Sequence, residues 1–425
     1  MTERIIRNDL LGEQYYEIEH DSGLRVLVME LPRYTGAFAM FGTRFGSVDT
    51  CFKRSDEADY TTVPDGIAHF LEHKLFESEE KDAFERFNQT GASANAFTSY
   101  DRTSYLFQCA DRLEENLEIL LDFVTHPYFT EETVQKEQGI IGQEIRMYQD
   151  NPDWVLVLNL LRAIYHANPA RLDIAGSVES IAEITPALLY ACYRTFYNHS
   201  NMVLAVAGNV TKEQVLVVCD RALQKEAPVR FEQIVPEEPD TVAQPYIEAV
   251  MPVELPKFAL GFKQPAQPLV RSDRETVAME IALDIAAGKL SPLYHALLEK
   301  GLINPNFSAF YFTGRGFAVP MIVGESADPA AVREAVLARI EALQQNGISD
   351  EDFSLSRKQL YGRAVRGFND VDDLAYQLTD ACFRGSTLFG EIESFRAVTK
   401  EDVTEMLGRL QSANSSFSVV KGAKV

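Results

Sequence analysis

The chain has 425 residues, more than one ordinary hydrophobic core holds, so its length predicts two or three domains. Its composition, 46% hydrophobic and 24% charged residues, is typical of a soluble globular protein. The net charge of −23 argues against a nucleic acid partner, because binding to phosphates requires clustered Lys and Arg side chains.

Three features predict a cytoplasmic protein with no membrane anchor. The five cysteines are far apart and form no C-x-x-C pair, which is typical of reduced thiols. The first 20 residues mix charged and apolar residues and have no continuous apolar core of the kind found in secretory signals. No apolar run approaches the ~20 residues that cross a bilayer.

The first half of the chain mixes predicted strands and helices. Strands are predicted where β-rich runs lie between turn residues, at 15–20, 24–31, within 36–49, twice within 91–110, and at 201–210. Helices are predicted from the spacing of apolar residues, starting after Pro64, Asp65 and Gly66 and then over 113–124, 131–148, 185–195 and 211–225.

A change of composition then predicts a linker. Residues 225–246 contain four prolines and four glutamates without a sustained period. We therefore expect an N-terminal half at 1–225, a linker at 226–246 and a C-terminal half at 247–425. The second half has predicted strands at 247–253, 257–264, 307–313 and 317–324, and helices at 273–287, 292–300, 329–345, 350–384 and 400–410.

The two halves share one order of elements, which suggests an ancient duplication. Hairpins next to long helices, without strict βαβ alternation, favour an α+β fold. We therefore expect two homologous α/β halves, each a mostly antiparallel sheet packed with helices.

One short motif predicts a metal site. The segment DGIAHFLEHKLFE, residues 65–77, places His69 and His73 four residues apart, with Glu72 beside the second. On a helix, residues four apart share one face, so both imidazoles can reach one metal ion. This H-x-x-E-H order is the inverzincin signature. The alternative is a chance pattern on an amphipathic helix.

A catalytic zinc site needs a third protein ligand and an open fourth position. Glu137 and Glu144 lie seven residues apart on the next long predicted helix, nearly on one face, and Ile140 and Ile141 between them are expected to face the core. One glutamate can bind the metal while the other supports a ligand histidine. The alternative is an ordinary solvated helix face.

Together these segments make the chain resemble the pitrilysin/insulinase zinc metallopeptidases, in particular their half-size, mitochondrial-processing-peptidase-like branch. The resemblance also includes GASANAFTSYDRTSY and AGSVESIAEITPALLYACYRTFYNHSNMVLAVAGNV, and it is weaker in the second half. It implies a Zn²⁺ ion held by His69, His73 and Glu144, with Glu72 as general base and Glu137 supporting a ligand histidine.

Members of this family bind a peptide as an added strand at a sheet edge. The resemblance places that role on Ala94, Asn95, Ala96 and Phe97. An open edge offers unpaired N–H and C=O groups to any peptide backbone. Periodicity alone favours a plain structural hairpin here.

The second half departs from the family pattern. Pro292, Leu298 and Asn304 stand where the family usually has two Arg and one Tyr. The nearest candidates to replace those side chains are Tyr294, Tyr311 and Arg315. Half-size members work in pairs, so we expect a paralogous partner subunit to supply the missing groups. The alternative assembly is a homodimer.

The expected function is thus a zinc-dependent endopeptidase subunit acting on peptides or unfolded segments. One alternative is a non-proteolytic processing or assembly factor that keeps the peptidase fold. Another is a purely structural zinc site, although such sites usually have four protein ligands, often Cys, and no Cys lies near the motif. The whole chain also resembles a bacterial subgroup associated with the aminopentanol modification of elongation factor P.

Overall fold

A computed structural model describes residues 1–79 and 82–423 of the chain. Its strands are β1 (Thr2–Asn8), β2 (Glu13–Glu19), β3 (Arg25–Glu30), β4 (Ala37–Thr43), β5 (Cys51–Arg54), β6 (Thr61–Thr62), β7 (Ser93–Thr98), β8 (Thr103–Cys109), β9 (Met202–Gly208), β10 (Phe231–Gln233), β11 (Tyr246–Val250), β12 (Lys257–Phe262), β13 (Ser308–Gly314), β14 (Phe317–Glu325) and β15 (Ser415–Lys421).

Its α-helices are α1 (Ile67–Leu75), α2 (Ala83–Thr90), α3 (Leu113–Thr125), α4 (Glu131–Gln149), α5 (Pro152–Ile164), α6 (Val178–Ile181), α7 (Pro186–Phe196), α8 (Lys212–Ala222), α9 (Asp273–Ala287), α10 (Pro292–Glu299), α11 (Pro329–Asn346), α12 (Asp350–Arg366), α13 (Val371–Arg384), α14 (Gly390–Ala397) and α15 (Lys400–Gly408).

The chain folds into two compact units, and neither is a continuous stretch of sequence. Unit 1 comprises Met1–Ile145, Asp173–Ile234 and Gly367–Phe389, and unit 2 comprises Arg146–Leu172, Val235–Arg366 and Gly390–Val425. Helix α5, from the first half of the sequence, therefore belongs to unit 2. Helix α13, from the second half, belongs to unit 1.

Unit 1 is built on a mostly antiparallel sheet. Within the described residues it has seven strands in the order β1-β2-β3-β9-β4-β8-β7, and β3 and β9 form its parallel pair. Alternation along β4 sorts side chains to two faces. Phe41 joins the core with Phe70 of α1, whereas Phe38 packs on Tyr376 of α13 with ring centroids 5.9 Å apart.

Unit 2 repeats this design with five strands, again counted over the described residues, in the order β11-β15-β12-β14-β13. Strands β11 and β15 form its parallel pair. On β12, Phe258 and Leu260 join the core with α9. Helix α5 covers the opposite face, where a Cβ atom on Gly261 would lie 2.8 Å from Cδ1 of Ile164.

These sheets confirm the predicted α+β class with mostly antiparallel sheets. The helix predicted over 350–384 is wrong as a single helix, because a 3₁₀ turn at Gly367–Asn369 separates α12 from α13. Gly and Asn are poor helix formers, and Asp370 after them has an extended backbone with φ of −125°. The two helices then enter different units.

Several elements had no sequence prediction. They are β1, the small sheet β10-β5-β6, β15, and helices α2, α5, α6 and α14. Strand β10 lies inside the predicted linker, where it pairs with β5. None of the helices in the described ranges has both the length and the apolar character needed to cross a membrane.

Candidate metal centre

Helix α1 begins at a position that only glycine fills well. Gly66 has φ of 91°, in the left-handed region that side chains disfavour. A Cβ atom there would lie 2.4 Å from the carbonyl oxygen of Ala175. Oγ of Ser180 donates a hydrogen bond to the carbonyl oxygen of Asp65 at 2.9 Å. The loop at 173–180 therefore holds the start of the helix that carries His69 and His73.

Helix α4 presents its two glutamates on the face turned toward α1. Glu137 is buried with Ile141, while Glu144 is partly exposed. The prediction that Ile140 also faces the core is wrong, because its side chain is 46% exposed. Consecutive residues on a helix point about 100° apart, and on α4 the buried face includes Ile141 but not Ile140.

The two histidines and Glu144 converge on one point. Nε2 of His69 lies 3.7 Å from one carboxylate oxygen of Glu144, and Nε2 of His73 lies 3.5 Å from the other. The three candidate ligand atoms all lie within 4.8 Å of one another. Both distances are longer than a normal N–H···O hydrogen bond of about 2.7–3.2 Å. The arrangement is an open cluster of donor atoms.

This cluster fits a zinc ion. Zinc–ligand bonds of 2.0–2.1 Å in a tetrahedral site place neighbouring ligand atoms about 3.3 Å apart. The two histidine–glutamate separations exceed that value by only a few tenths of an ångström. Two imidazoles and one carboxylate also match the ligand set of catalytic zinc sites, which keep a fourth position for water or substrate.

The histidines differ in their support. Burial and the neighbouring His73 lower the pKa of His69 to about 3, so its imidazole is neutral. Its Nδ1 is buried and has no hydrogen-bond partner in the part of the chain that the structure describes. Nδ1 of His73, in contrast, lies 2.9 Å from Oε1 of Glu137. That contact places a proton on Nδ1 and leaves Nε2 to face Glu144.

The electrostatics at His73 follow from the same neighbours. Burial alone lowers the pKa of His73, but the hydrogen bond to Glu137 and the charges of Glu72, Glu137 and Glu144 outweigh burial and raise this pKa. The imidazole therefore sits in a strongly negative environment. Such an environment also attracts a divalent cation.

Glu72 lies beside the cluster and is only 8% exposed. Burial raises its pKa, and the hydrogen bond from Thr98 and the charge of His73 oppose this rise. Oγ1 of Thr98 donates to Oε2 of Glu72 at 2.7 Å. Sequence patterns did not single out Thr98. The sequence signal that could have identified Thr98 is its position directly after residues 94–97, the segment predicted to bind the peptide.

The segment 94–97 lies in β7, the outermost strand of the unit 1 sheet on this side. Its inner edge pairs with β8, with Ala96 opposite Tyr105. Among the described strands, none pairs with its outer edge. Ala94 and Ala96 pack on the core, and Phe97 stacks on Tyr376 of α13 at 5.4 Å. The strand thus combines a fixed inner side with an open outer side.

In unit 2, the positions that depart from the family pattern lie on or next to α10. Pro292 is its first residue, and Leu298 is exposed on its surface. Nδ2 of Asn304 donates to Glu325 at 2.6 Å. The candidate replacements Tyr294 and Tyr311 are both buried in the unit 2 core. Arg315 lies in the turn between β13 and β14.

Comparison with known proteins agrees with this fold and identifies the family. A family model described as "Insulinase (Peptidase family M16)" matches residues 58–177, and one described as "Peptidase M16 inactive domain" matches residues 183–360. The uncharacterized zinc protease YmfH of Bacillus subtilis (strain 168) is 38% identical over 95% of both chains. The chain belongs to the M16 (insulinase) peptidase family.

Solved structures show the same fold. An M16-like peptidase from Alicyclobacillus acidocaldarius is 34% identical, with a TM-score of 0.92 over 96% of this chain and 98% of that one. Pitrilysin is 18% identical, with a TM-score of 0.76 over 98% of this chain and 46% of its own. The second likeness concerns the fold alone.

Proposed function

We propose that this chain is the zinc-binding subunit of a metalloendopeptidase that hydrolyses peptides or unfolded segments. The observation that carries the proposal is the convergence of His69, His73 and Glu144 beside the buried Glu72. Such a set of donors with an adjacent carboxylate is what metal-assisted hydrolysis of an amide requires. Relatives named zinc proteases support the same reading.

Each side chain has a separate task in this proposal. His69, His73 and Glu144 hold the zinc, which acts when bound as a Lewis acid on the scissile carbonyl and on water. Glu137 keeps His73 in the tautomer that binds through Nε2. Glu72 accepts a proton from the attacking water and returns it to the leaving amine.

The outer edge of β7 is proposed to bind the substrate. Backbone N–H and C=O groups that no described strand pairs with would bind an extended peptide backbone, which demands little of the peptide's side chains. The Ala96 N–H, which donates to Oδ1 of Asn95 at 2.9 Å, is already engaged. This mode of binding suits peptides and unfolded segments, because a folded protein offers few unpaired strands. Ala94, Asn95, Ala96 and Phe97 would line the bound peptide.

A partner subunit is proposed to complete the active site. Pro292, Leu298 and Asn304 cannot donate hydrogen bonds as guanidinium and phenol groups do. A paralogous subunit that carries such groups would therefore stabilise the oxyanion of the tetrahedral intermediate, whereas a second copy of this chain lacks them too. The free state of all five cysteines supports the proposed cytoplasmic location. The link to elongation factor P modification stays a prediction of context, because no residue of the site bears on it.

The test is peptide hydrolysis by the zinc-loaded chain, purified alone and with a co-expressed paralogue. Glu72→Gln is expected to keep zinc and to lower kcat by about 10²–10⁴-fold, because it removes the proton acceptor. Glu85→Gln, an exposed carboxylate on α2, serves as the control and should match wild type. Hydrolysis that survives Glu72→Gln would refute the proposed role. A biological role that survives without hydrolysis would favour a processing or assembly factor.

A further inference from the structure

The side chain of Glu72 makes a single hydrogen bond within the described residues. Oγ1 of Thr98 donates to its Oε2 at 2.7 Å, and Oε1 has no such partner there. A buried carboxylate ordinarily needs several donors to stay charged and fixed. The hydrogen bond from Thr98 therefore holds Oε2 of Glu72, and Oε1 is available to accept a proton.

The direction of this hydrogen bond follows from the neighbouring hydroxyl groups. Oγ1 of Thr103 lies 3.4 Å from Oγ1 of Thr98, and it donates its own proton to the carbonyl oxygen of Phe45 at 2.8 Å. Because Thr103 has only one proton to give, it does not donate to Thr98, and an ionised carboxylate can only accept. The proton of Thr98 therefore goes to Glu72 at 2.7 Å rather than along the longer contact with Thr103.

The backbone of Thr98 is fixed by the β7–β8 hairpin. Thr98 is the last residue of β7 and lies opposite Thr103. The turn is closed by a hydrogen bond from Ser99 N–H to the carbonyl oxygen of Arg102 at 2.8 Å. A β-branched side chain also has few χ1 rotamers, so the strand dictates where the hydroxyl points.

We propose that Thr98 is a positioning residue for the general base, Glu72. This inference rests on the proposed function. Thr98 holds Oε2 of Glu72 so that Oε1 is the oxygen that takes the proton from water. Because Thr98 belongs to the edge strand proposed to bind the peptide, pairing of a substrate with β7 also steadies the base. Strand addition and proton transfer are thereby linked through one hydroxyl.

The kinetic test compares Thr98→Val, which keeps the shape but removes the hydroxyl, with Thr98→Ser, which keeps it. In whichever form of the enzyme wild type is active, T98V is expected to lower kcat about 10–100-fold with little change in KM. T98S should recover most of the rate, and both should bind zinc normally. Ser55→Ala removes an exposed hydroxyl outside β7 and α1 and should match wild type.

A second measurement does not depend on activity. In crystal structures of the zinc-loaded proteins, Glu72 should occupy one rotamer in wild type and T98S, and should rotate or split in T98V. An unchanged Glu72 rotamer in T98V, or a T98V kcat equal to wild type, would overturn the inference. If wild type hydrolyses no peptide, the proposed function fails, while the rotamer comparison still decides the role of Thr98. If T98V does not fold, Thr98→Ala provides the same loss of the hydroxyl.

Discussion

The two units use the same framework to hold different chemistry. Strands β3-β9-β4-β8-β7 of unit 1 and β11-β15-β12-β14-β13 of unit 2 match in order, and in each set the first pair is parallel and the rest are antiparallel. Helix α1 packs on β7 and β8, and α9 packs on β13 and β14. In each unit a later helix carries residues that contact the first one: α4 contacts α1 in unit 1, and α12 contacts α9 in unit 2.

In unit 1 the matching helices carry His69 and His73, four residues apart, and Glu137 and Glu144, seven apart. The buried Glu137 forms the inner contact, with its Oε1 2.9 Å from Nδ1 of His73. The partly exposed Glu144 forms the outer contact, with its Oε1 3.7 Å from Nε2 of His69. The donor atoms face one another, and none of these four residues is a Lys or an Arg.

In unit 2 the same spacings recur with other residues. Glu280 and Asp284 lie four apart on α9, and Ser356 and Arg363 lie seven apart on α12. Oγ of Ser356 donates to Asp284 at 2.6 Å, and the guanidinium of Arg363 lies 3.8 Å from Glu280. Burial raises the pKa of Glu280, which the hydrogen bond from the Tyr311 N–H and the charge of Arg363 oppose.

The difference shows that the framework alone does not make a metal site. Unit 1 offers two imidazoles and a carboxylate to an external cation, whereas unit 2 already supplies a guanidinium to its carboxylates. The pair of units therefore provides internal controls, because each substitution in unit 1 has a counterpart in unit 2.

The largest effect on stability is expected at the start of the matching helices. Gly66→Ala should lower the free energy of unfolding by about 3 kcal/mol, because the new Cβ meets the Ala175 carbonyl oxygen at a positive φ. Ser272→Ala, at the N-cap of α9, removes a hydrogen bond to the Glu275 N–H and should cost about 1 kcal/mol. Chemical denaturation measures both, and equal losses would contradict the special role of Gly66.

Smaller effects, on zinc affinity and on stability, are expected from breaking the contact of α4 with His73 and the matching contact of α12 with Asp284. Glu137→Gln should lower zinc affinity about 10–100-fold, because His73 loses the carboxylate that fixes its tautomer. Ser356→Ala, its counterpart, should leave zinc affinity unchanged and lower stability by roughly 1.5–3 kcal/mol through loss of a hydrogen bond to a partly buried carboxylate. Competition with a chromophoric chelator measures the affinities. Unchanged affinity in E137Q would refute the support of His73.

Local rules account for what could be predicted from the sequence. The four-residue spacing of His69 and His73 follows from helix geometry, so the motif alone brings the imidazoles together. Glu144 lies 71 residues beyond His73, and no local rule connects the two; only the resemblance to a family selected it. The structure brings these three residues together, while their binding of zinc stays a prediction.

Contacts between distant segments account for what was missed. The role of Thr98 depends on how β7 lies against α1, which the spacing of residues along the chain does not reveal. Helices α5 and α13 each cover the sheet of a unit formed mainly from the other half of the sequence. An amphipathic pattern shows that a helix has an apolar face but not which sheet receives it. Strand β1 is exposed over most of its length, so it lacked the alternation that predicts a strand.

The other predictions about zinc and catalysis depend on the binding of one zinc ion by the His69, His73 and Glu144 cluster of unit 1, with none bound at the matching place in unit 2. Zinc binding is measured by metal analysis of the purified chain after zinc loading, beside His73→Ala and its counterpart Asp284→Ala. We expect about one zinc per chain in wild type and D284A and none in H73A. Full zinc content in H73A, or no zinc in wild type under any loading condition, would contradict this expectation.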